Sequence, residues 1–263
     1  MTTEIKIFKK PRLKNPVLIE GLPGVGNVGR IAAGYLIEEL KAEKFAELIS
    51  SHFMPLVLVR EDGTSHLLRN EFFYWKAKKK NQRDLIILIG DSQSVDPEGH
   101  YEIVHEILKF AKKLKVKEII TLGGLSIGER VEEPKVIAVA NSPSVVKKYK
   151  KYGIYFDNGR RVSTIVGAAG LLIGLGRYYG IEGLCLLGET MGVPLLPDHK
   201  SAEAVLRVVN KILNLKIDLS KLEEKVEKMK KFVKKMTELQ TSLIPQLSAQ
   251  KPKKEEQSLS YIG

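Results

Sequence analysis

The chain has 263 residues, a size that allows one large domain or one domain with an appendage. Hydrophobic residues make up 43% of it, enough for a sizeable core, and no apolar run reaches the roughly 18 residues of a membrane span. The net charge is +12, and the single cysteine, Cys185, excludes an intrachain disulfide and a cysteine-cluster metal site.

The positive charge comes mostly from lysine and is spread over several runs, at 76–80, 147–151 and 228–235. An excess of basic residues can indicate nucleic-acid binding, but acidic residues interleave with these and arginine clusters are scarce. Richness in lysine and glutamate is also typical of heat-adapted surfaces. We therefore expect a solvated surface, with nucleic-acid binding unfavoured and no membrane association. Because the first residues contain no apolar signal-peptide core, we expect a cytoplasmic protein.

The chain starts with an alternating strand at 5–8, and a buried strand at 17–20 then leads into a glycine-rich turn and a helix to about Leu40. The turn, 24–29, matches the G-x-G-x-x-G pattern of dinucleotide-binding units. That pattern requires an acidic residue at the end of the next strand. The only acidic residue near that position, Glu47, comes before the strand end.

A phosphate-binding P-loop is also disfavoured, because Asn27-Val28 stands where the pattern requires Lys-Ser/Thr. Two interpretations of the turn remain, a cofactor site and a tight strand-to-helix crossover. We favour the crossover and predict no cofactor. The positions that would serve this structural turn are Gly21, Gly24, Gly26 and Gly29.

Further along, residues 55–70 predict a hairpin around Asp62-Gly63, and 71–77 a third strand of the same antiparallel meander. The apolar run at 84–90 predicts a central parallel strand, and runs at 118–122, 136–140 and 183–188 predict further strands. Predicted helices follow Asp96-Pro97 and Ser142-Pro143, cover the glycine-rich segment 164–176, and begin at a capping Ser201. The pattern predicts an α/β fold, a mostly parallel sheet flanked by helices with a small antiparallel meander.

Polar or glycine residues at strand ends are expected to line one edge of this sheet, where α/β folds bind ligands; they are Gly21, Asp91, Gly123, Asn141 and Glu189. Asp91-Ser92 and Glu189-Thr190 are candidate acid, base or hydroxyl groups there. Strand ends are also where polar residues ordinarily begin, so we predict no catalytic residue. His100 and His105 do not have the i, i+4 metal spacing, and no metal site is predicted. We interpret His105 and Cys185 as core residues.

The α/β domain is predicted to span 1–217, followed by a heptad helix over 218–246. Ser220 to Glu223 forms a capping box, and Pro245 closes the helix. Its apolar seam includes Leu222, Val226, Met229, Val233 and Met236. Such a narrow seam must be covered, either by the parent domain or by another subunit or partner.

Residues 247–263 are predicted to be a flexible tail. The tail ends in Leu259, Ser260, Tyr261, Ile262 and Gly263. An aromatic and two aliphatic side chains on a tether are typical of a peptide that a partner captures, with the terminal carboxylate as a second contact. The alternative is an inert tail.

Four segments together resemble the archaeal members of the proteasome assembly chaperone family: Glu20–Gly29, Leu122–Leu125, Thr164–Gly176 and Leu187–Thr190. The resemblance implies a phosphorylase-like α/β fold, a homo-oligomer such as a ring, and a non-enzymatic role in assembling or activating the 20S proteasome. Such proteins can carry a C-terminal hydrophobic-tyrosine-any tripeptide that enters pockets between proteasome α subunits. In this sequence Tyr261 is third from the end rather than penultimate, a departure from that pattern.

The main hypothesis is therefore a chaperone or activator-like adaptor whose tails engage a multisubunit partner such as the 20S proteasome. The alternative is an enzyme that acts on a nucleoside or nucleotide on a phosphorylase-like scaffold.

Overall fold

The computed structural model describes residues 2–129, 131–157, 159–192, 197–220 and 222. These residues form eleven strands and five α-helices. In chain order the elements are β1 Thr3–Ile7, β2 Val17–Gly21, α1 Val28–Leu40, β3 Glu43–Ser50, β4 Val57–Val59, β5 Ser65–Leu67, β6 Asn70–Trp75, β7 Leu85–Gly90, α2 Pro97–Lys113, β8 Glu118–Ser126, β9 Val136–Ala140, α3 Pro143–Lys150, β10 Tyr155–Phe156, α4 Ala168–Gly176, β11 Glu182–Thr190 and α5 His199–Ile212.

Nine of these strands form one sheet in the order β1-β3-β6-β7-β2-β8-β11-β9-β10. The four central strands, β7, β2, β8 and β11, run parallel to one another. Antiparallel pairs flank them on both sides, from β1 to β7 on one side and between β11 and β9 on the other. The α/β fold is confirmed, with a parallel centre and antiparallel flanks.

The antiparallel part of the fold differs in detail from the expectation. The hairpin β4–β5 forms a separate two-stranded sheet, while β6 pairs with β3 and β7 in the large sheet. Burial accounts for this arrangement, because the hairpin strands have three residues each and remain largely exposed, whereas β6 buries Phe72 and Trp75. Aromatic side chains of this size contribute most when they are covered on a large sheet.

Two helical layers cover the sheet, one on each face. On β2, Val17 and Ile19 contact the core beneath α1 and α5, whereas Leu18 points into the core beneath α2 and α4. This alternation follows from the period of two along a strand. Both faces of the central strands are therefore apolar, as expected for parallel strands with helices on either side. Cys185 lies fully buried in a smaller third cluster.

Helix starts follow the capping chemistry, with one correction. The Asp96 side chain accepts a hydrogen bond from the Gly99 amide at 2.7 Å, and Pro97 occupies the first turn of α2. The prediction that Ser201 caps α5 was wrong. Asp198 caps it instead, accepting from the Ser201 amide at 2.9 Å, and Ser201 is buried in the first turn. A β-carbon on Gly188 would lie 2.3 Å from the Ser201 hydroxyl, so a small side chain packs here against β11.

The glycine-rich helix α4 begins at Ala168, later than predicted, because Gly167 has a φ of +85° and interrupts the helical backbone. At the end of the described chain, Leu219 and Leu222 pack into the core beneath α1 and α5. The remaining predicted seam residues, Val226, Met229, Val233 and Met236, and the tail 259–263 lie outside the described residues. None of the helices that the structure describes is both long and apolar enough to span a membrane.

Candidate functional site

The carboxyl ends of the four central strands bring most of the predicted strand-end residues to one edge, called here the carboxyl edge. Gly21, Asp91, Gly123 and Glu189 lie there. Asn141 does not, because β9 runs antiparallel to β11 and ends at the opposite edge. Its amide donates to the Gly183 carbonyl at the start of β11, and its side chain donates to two further carbonyls.

The glycine turn that joins β2 to α1 is closely packed at three of its four glycines. Gly26 has a φ of +58°, and a β-carbon there would lie 2.9 Å from the Thr190 hydroxyl. A β-carbon on Gly29 would lie only 2.1 Å from the Leu122 carbonyl oxygen, and one on Gly21 would lie 2.2 Å from the Gly29 carbonyl oxygen. Gly24 is extended, with a φ of −166°. A β-carbon on Gly24 would have its nearest neighbouring atom 4.0 Å away. The contacts bring α1 directly against the sheet.

The topology around this turn differs from that of a dinucleotide-binding βαβ unit. After α1 the chain enters β3, which pairs antiparallel with β1 and β6 and is separated from β2 by β6 and β7. The space beside Gly26 holds the protein's own Asp198, whose amide donates to the Gly26 carbonyl at 2.8 Å. Glu47, the nearest acidic residue to the expected position, binds Lys44 and Arg69. The geometry favours a structural crossover.

A largely buried polar cluster around Asp91 at the carboxyl edge was not anticipated from the sequence. The Asp91 carboxylate contacts His66 Nε2 at 2.7 Å and Arg30 at 3.8 Å, and it accepts from the Arg69 amide at 3.2 Å. Arg60 lies 2.8 Å from His66 Nδ1. Because a guanidinium only donates, Nδ1 accepts and the Nε2 hydrogen donates to Asp91. The cluster attaches the hairpin β4–β5 to the sheet, and only the tertiary fold brings these residues together.

The other candidate acid, base and hydroxyl groups are likewise engaged by neighbouring parts of the chain. The Ser92 hydroxyl donates to the Gln93 carbonyl, and the Thr190 hydroxyl donates to Asp198 at 2.7 Å. Glu189 binds Arg161 at 2.7 Å and accepts from the Lys135 amide. Within the described residues, no group of three or more His, Cys, Asp or Glu side chains is arranged to hold a metal ion. These contacts stabilise loops at the edge.

The loops of the carboxyl edge carry several exposed apolar side chains. Gln93 connects two of its loops, since its side chain donates to the Pro23 carbonyl at 2.6 Å and accepts from the Ala168 amide at 2.9 Å. The exposed hydrophobic side chains in the loops of this edge are Val25, Val95, Ile127, Val166 and Met191, and Val166 is 88% exposed. Exposed apolar side chains grouped on one surface are typical of protein contact sites.

Comparison with known proteins assigns the chain to a family. The model of the PAC2 family matches residues 18–237, most of the chain and all of the described sheet from β2 onward. The chain belongs to the PAC2 family. The expected resemblance to archaeal proteasome assembly chaperones is thereby confirmed.

Several relatives match this PAC2 chain over nearly their whole length. Pyrococcus furiosus PbaB, described as an archaeal proteasome activator, is 41% identical with a TM-score of 0.81, covering 90% of this chain and 99% of PbaB. PbaA of the same organism, described as an archaeal homolog of proteasome-assembly chaperone, is 29% identical with a TM-score of 0.72 over the same shares. An uncharacterised protein of Methanocaldococcus jannaschii is 38% identical over 253 residues, covering 95% of this chain and 93% of that protein.

A second feature of the PAC2 chain that sequence reasoning missed is the buried carboxyl group of Glu20. It is 1% exposed, and one oxygen accepts from the Leu22 amide at 2.9 Å while the other has no hydrogen-bond partner among the described residues. Burial raises the pKa of the Glu20 carboxyl to about 7. Thr121 and Cys185 lie beside it in register on β8 and β11, and burial raises the pKa of the Cys185 thiol to about 12. The sequence did contain a signal for this buried carboxyl group, namely a glutamate next to the end of an otherwise apolar strand.

Replacing Glu20 with glutamine is expected to change how stability depends on pH. Because its folded pKa lies above the ordinary 4.5, Glu20 keeps its proton longer when folded, and wild-type stability falls as pH rises from about 4.5 to 7. The full shift corresponds to about 3 kcal/mol. We expect Glu20→Gln to raise the free energy of unfolding by about 2 kcal/mol at pH 8 and to leave it nearly unchanged at pH 4.5.

Urea unfolding of both proteins at the two pH values measures this difference. An equal increase in the free energy of unfolding at both pH values would show that the charge of the Glu20 carboxylate does not cause the stabilisation.

Proposed function

We propose that this PAC2 protein is a non-enzymatic adaptor, a proteasome assembly chaperone or activator that acts in the cytoplasm as a homo-oligomer. Its α/β domain, residues 1–217, serves as the scaffold. The heptad segment 218–246 begins in the core of that domain, with Leu219 and Leu222, and the rest of its seam packs against another helix or surface. The tail 247–263 engages the 20S proteasome. The observation that carries the proposal is the similarity to PbaB, at 41% identity over 90% of this chain. PbaA, described as an archaeal homolog of proteasome-assembly chaperone, is a second relative that supports the proposal.

The chemistry of the carboxyl edge agrees with a binding role. The polar groups that a reaction would use, Asp91, Ser92, Glu189 and Thr190, are held by neighbouring loops. The loops around them carry exposed apolar side chains. Exposed apolar side chains on a rigid sheet suit contact with another protein surface.

The tail supports the same proposal through its composition. Leu259, Tyr261 and Ile262 are apolar residues within a polar stretch. If several tails extend from one oligomer, the effective concentration of each binding peptide rises, and a peptide that is weak alone still binds usefully. This matters here because Tyr261 is not penultimate, so that a single tail is expected to bind weakly.

Deleting residues 258–263 tests the role of the tail. We expect the shortened protein to lose co-purification with archaeal 20S proteasomes while the number of subunits in its oligomer stays the same. The matched control deletes 250–255, which shortens the tether equally but keeps the terminal peptide. Native mass measurement of each protein, alone and mixed with 20S particles, reports both properties. Unchanged co-purification of the 258–263 deletion would exclude the tail as the contact.

A thermal-shift screen with nucleosides, nucleotides and dinucleotides tests the non-enzymatic part of the proposal. A ligand that binds only the folded state raises the melting temperature in a saturable way. We expect no such rise. A saturable rise with one class of these compounds would favour the enzymatic alternative.

A further inference from the structure

The whole net charge of the chain resides in three connections. The segments 8–16, 76–84 and 112–117 contain thirteen lysine or arginine residues and one acidic residue, Asp84. The rest of the chain then holds thirty basic and thirty acidic residues, out of totals of 43 and 31. An excess of twelve positive charges therefore lies within these segments, beside the carboxylates of Glu43, Glu118 and Glu182, although in the linear sequence it appears dispersed.

These three connections meet at the end of the sheet where the central strands begin, called here the amino edge. They lead into β2, β7 and β8 respectively, which are adjacent and parallel. Asp84 joins the first two, accepting from the Lys14 amide at 2.6 Å and from the Ala77 amide at 2.8 Å. Arg83 binds Glu118 at the start of β8 and so joins the second to the third. The basic residues consequently form one face.

The carboxylates at this edge neutralise only part of its outer surface, where Lys9 binds Glu43 and Lys148 binds Glu182. Asp84 is buried, and each of its carboxylate oxygens accepts a hydrogen bond from a backbone amide. Glu118 is buried beneath Arg83. Several exposed lysines form no salt bridge within the described part of the chain: Lys78, Lys79, Lys80, Lys113 and Lys117. Like charges so close together repel one another and disfavour the compact state. Heat-adapted surfaces ordinarily arrange both signs into ion-pair networks, and the network at this edge, Arg83–Glu118–Lys148–Glu182, does not include these five lysines.

We propose that the amino edge is a docking face for an acidic protein surface, which approaches the chain from the end opposite the carboxyl edge. The identity of the partner rests on the proposed function, in which it is a surface of the 20S particle. Complementary charge of this kind mainly accelerates association and sets orientation, and its effect falls as salt rises. The face would orient the adaptor while the tail supplies a separate anchor.

Composition and shape favour a protein partner over a nucleic acid. Eleven of the thirteen basic residues are lysines, and one of the two arginines, Arg83, is already engaged by Glu118. Readers of nucleic-acid bases rely on the planar, bidentate guanidinium group. The face consists of two loops and the end of α2, whereas groove readers present the side of a helix or a β-ribbon.

The test compares two triple charge reversals that each lower the net charge to the same value. One variant, Lys14→Glu with Lys79→Glu and Lys117→Glu, changes one exposed lysine in each connection. The control, Lys135→Glu with Arg160→Glu and Lys200→Glu, changes exposed residues outside them. A third variant replaces Lys14, Lys79 and Lys117 with glutamine, to separate loss of charge from repulsion. Circular dichroism and melting temperature check that each variant is folded.

Binding of the full-length proteins to archaeal 20S particles is measured by biolayer interferometry between 50 and 300 mM salt. We expect the amino-edge reversal to weaken binding about tenfold or more at low salt, mainly through the association rate, and to flatten the salt dependence. The control should change affinity by less than about threefold. Equal affinity of the two reversals for 20S would overturn the proposal.

The outcomes also separate this proposal from the proposed function. If the wild-type protein does not bind 20S at any salt concentration, the proposed function fails. The amino-edge face is then judged on immobilised poly-L-glutamate and random-sequence duplex DNA. Selective loss of poly-L-glutamate binding by the amino-edge variant would support the acidic-surface proposal. The opposite result would be loss of DNA binding by the amino-edge variant alone, with equal binding of all variants to poly-L-glutamate. That result would replace the acidic-surface proposal with nucleic-acid binding.

Discussion

Replacing Gly29 with alanine is expected to destabilise the protein severely. A β-carbon at this position would lie 2.1 Å from the Leu122 carbonyl oxygen and 2.9 Å from its carbonyl carbon. Both neighbours are backbone atoms in β8, in the middle of the parallel sheet, so neither can rotate away. The start of α1 would have to move off the sheet, and with it the buried contacts of Val28 and Ile31. We expect a loss of about 3 kcal/mol or more in the free energy of unfolding.

The matched control is Gly24→Ala, at another position of the same glycine pattern. Gly24 is extended, and its added β-carbon would meet no atom closer than 4.0 Å. We expect this variant to change the free energy of unfolding by less than about 0.5 kcal/mol. Urea unfolding of both variants at one pH gives the comparison.

This pair tests the structural role of the glycine pattern and not ligand binding, because a dinucleotide site needs the same close packing at its third glycine. A structural crossover requires Gly29 but tolerates alanine at Gly24. Equal and small effects at both positions would contradict the packing of α1 that the structure shows.

Loss of the Glu118 charge is the second change with a large expected effect. Glu118 is 1% exposed and binds Lys148 at 2.9 Å, together with Arg83 and the Tyr149 hydroxyl. Burial alone would raise the pKa of its carboxyl, but the hydrogen bonds from Tyr149, Lys148 and Arg83 outweigh burial and hold the pKa below its ordinary value. Because its two cationic partners remain partly exposed, we expect Glu118→Gln to cost about 2–3 kcal/mol, somewhat less than a fully buried pair.

Glu182→Gln provides the control, since Glu182 binds the same Lys148 at 2.9 Å but its side chain is 42% exposed. An exposed ion pair contributes little, and we expect a change below about 0.5 kcal/mol. Thermal and urea unfolding at pH 7 measure both variants. Similar losses for the two variants would mean that burial does not decide the strength of this network.

The pH dependence of the Glu118 effect follows from its lowered folded pKa. A carboxyl with a depressed pKa contributes stability that is present above its unfolded pKa, ordinarily 4.5, and is lost as pH falls through the folded value. The difference between wild type and Glu118→Gln should therefore shrink below pH 4.5. Glu20→Gln should show the opposite trend, because the folded pKa of Glu20 is raised.

The sequence predicted the types of most elements because their signals are local. The apolar run that became β7 and the Asp96-Pro97 start of α2 lie close to their predicted positions. Capping, turn chemistry and hydrophobic period each depend on residues a few positions apart. The Ser201 prediction failed because Asp198, three residues earlier, satisfies the same amides.

The contacts of the candidate site could not be predicted in the same way. His66 and Asp91 are 25 residues apart and meet only because the hairpin folds over the end of β7. Asn141 was placed at the wrong edge because a strand's direction in the sheet depends on its pairing, which its own residues do not record. The raised pKa of Glu20 likewise depends on how deeply the helices bury β2.

The sequence alone determined the α/β class, the family resemblance and the crossover interpretation of the glycine turn, because these depend on local spacing and residue type. Only the tertiary structure decided which charges lie together. The basic residues of 8–16, 76–84 and 112–117 are far apart in sequence, yet adjacent parallel strands place them at one amino edge. Strand order is set by long-range pairing and burial. A net charge that looked dispersed along the chain therefore became a single face.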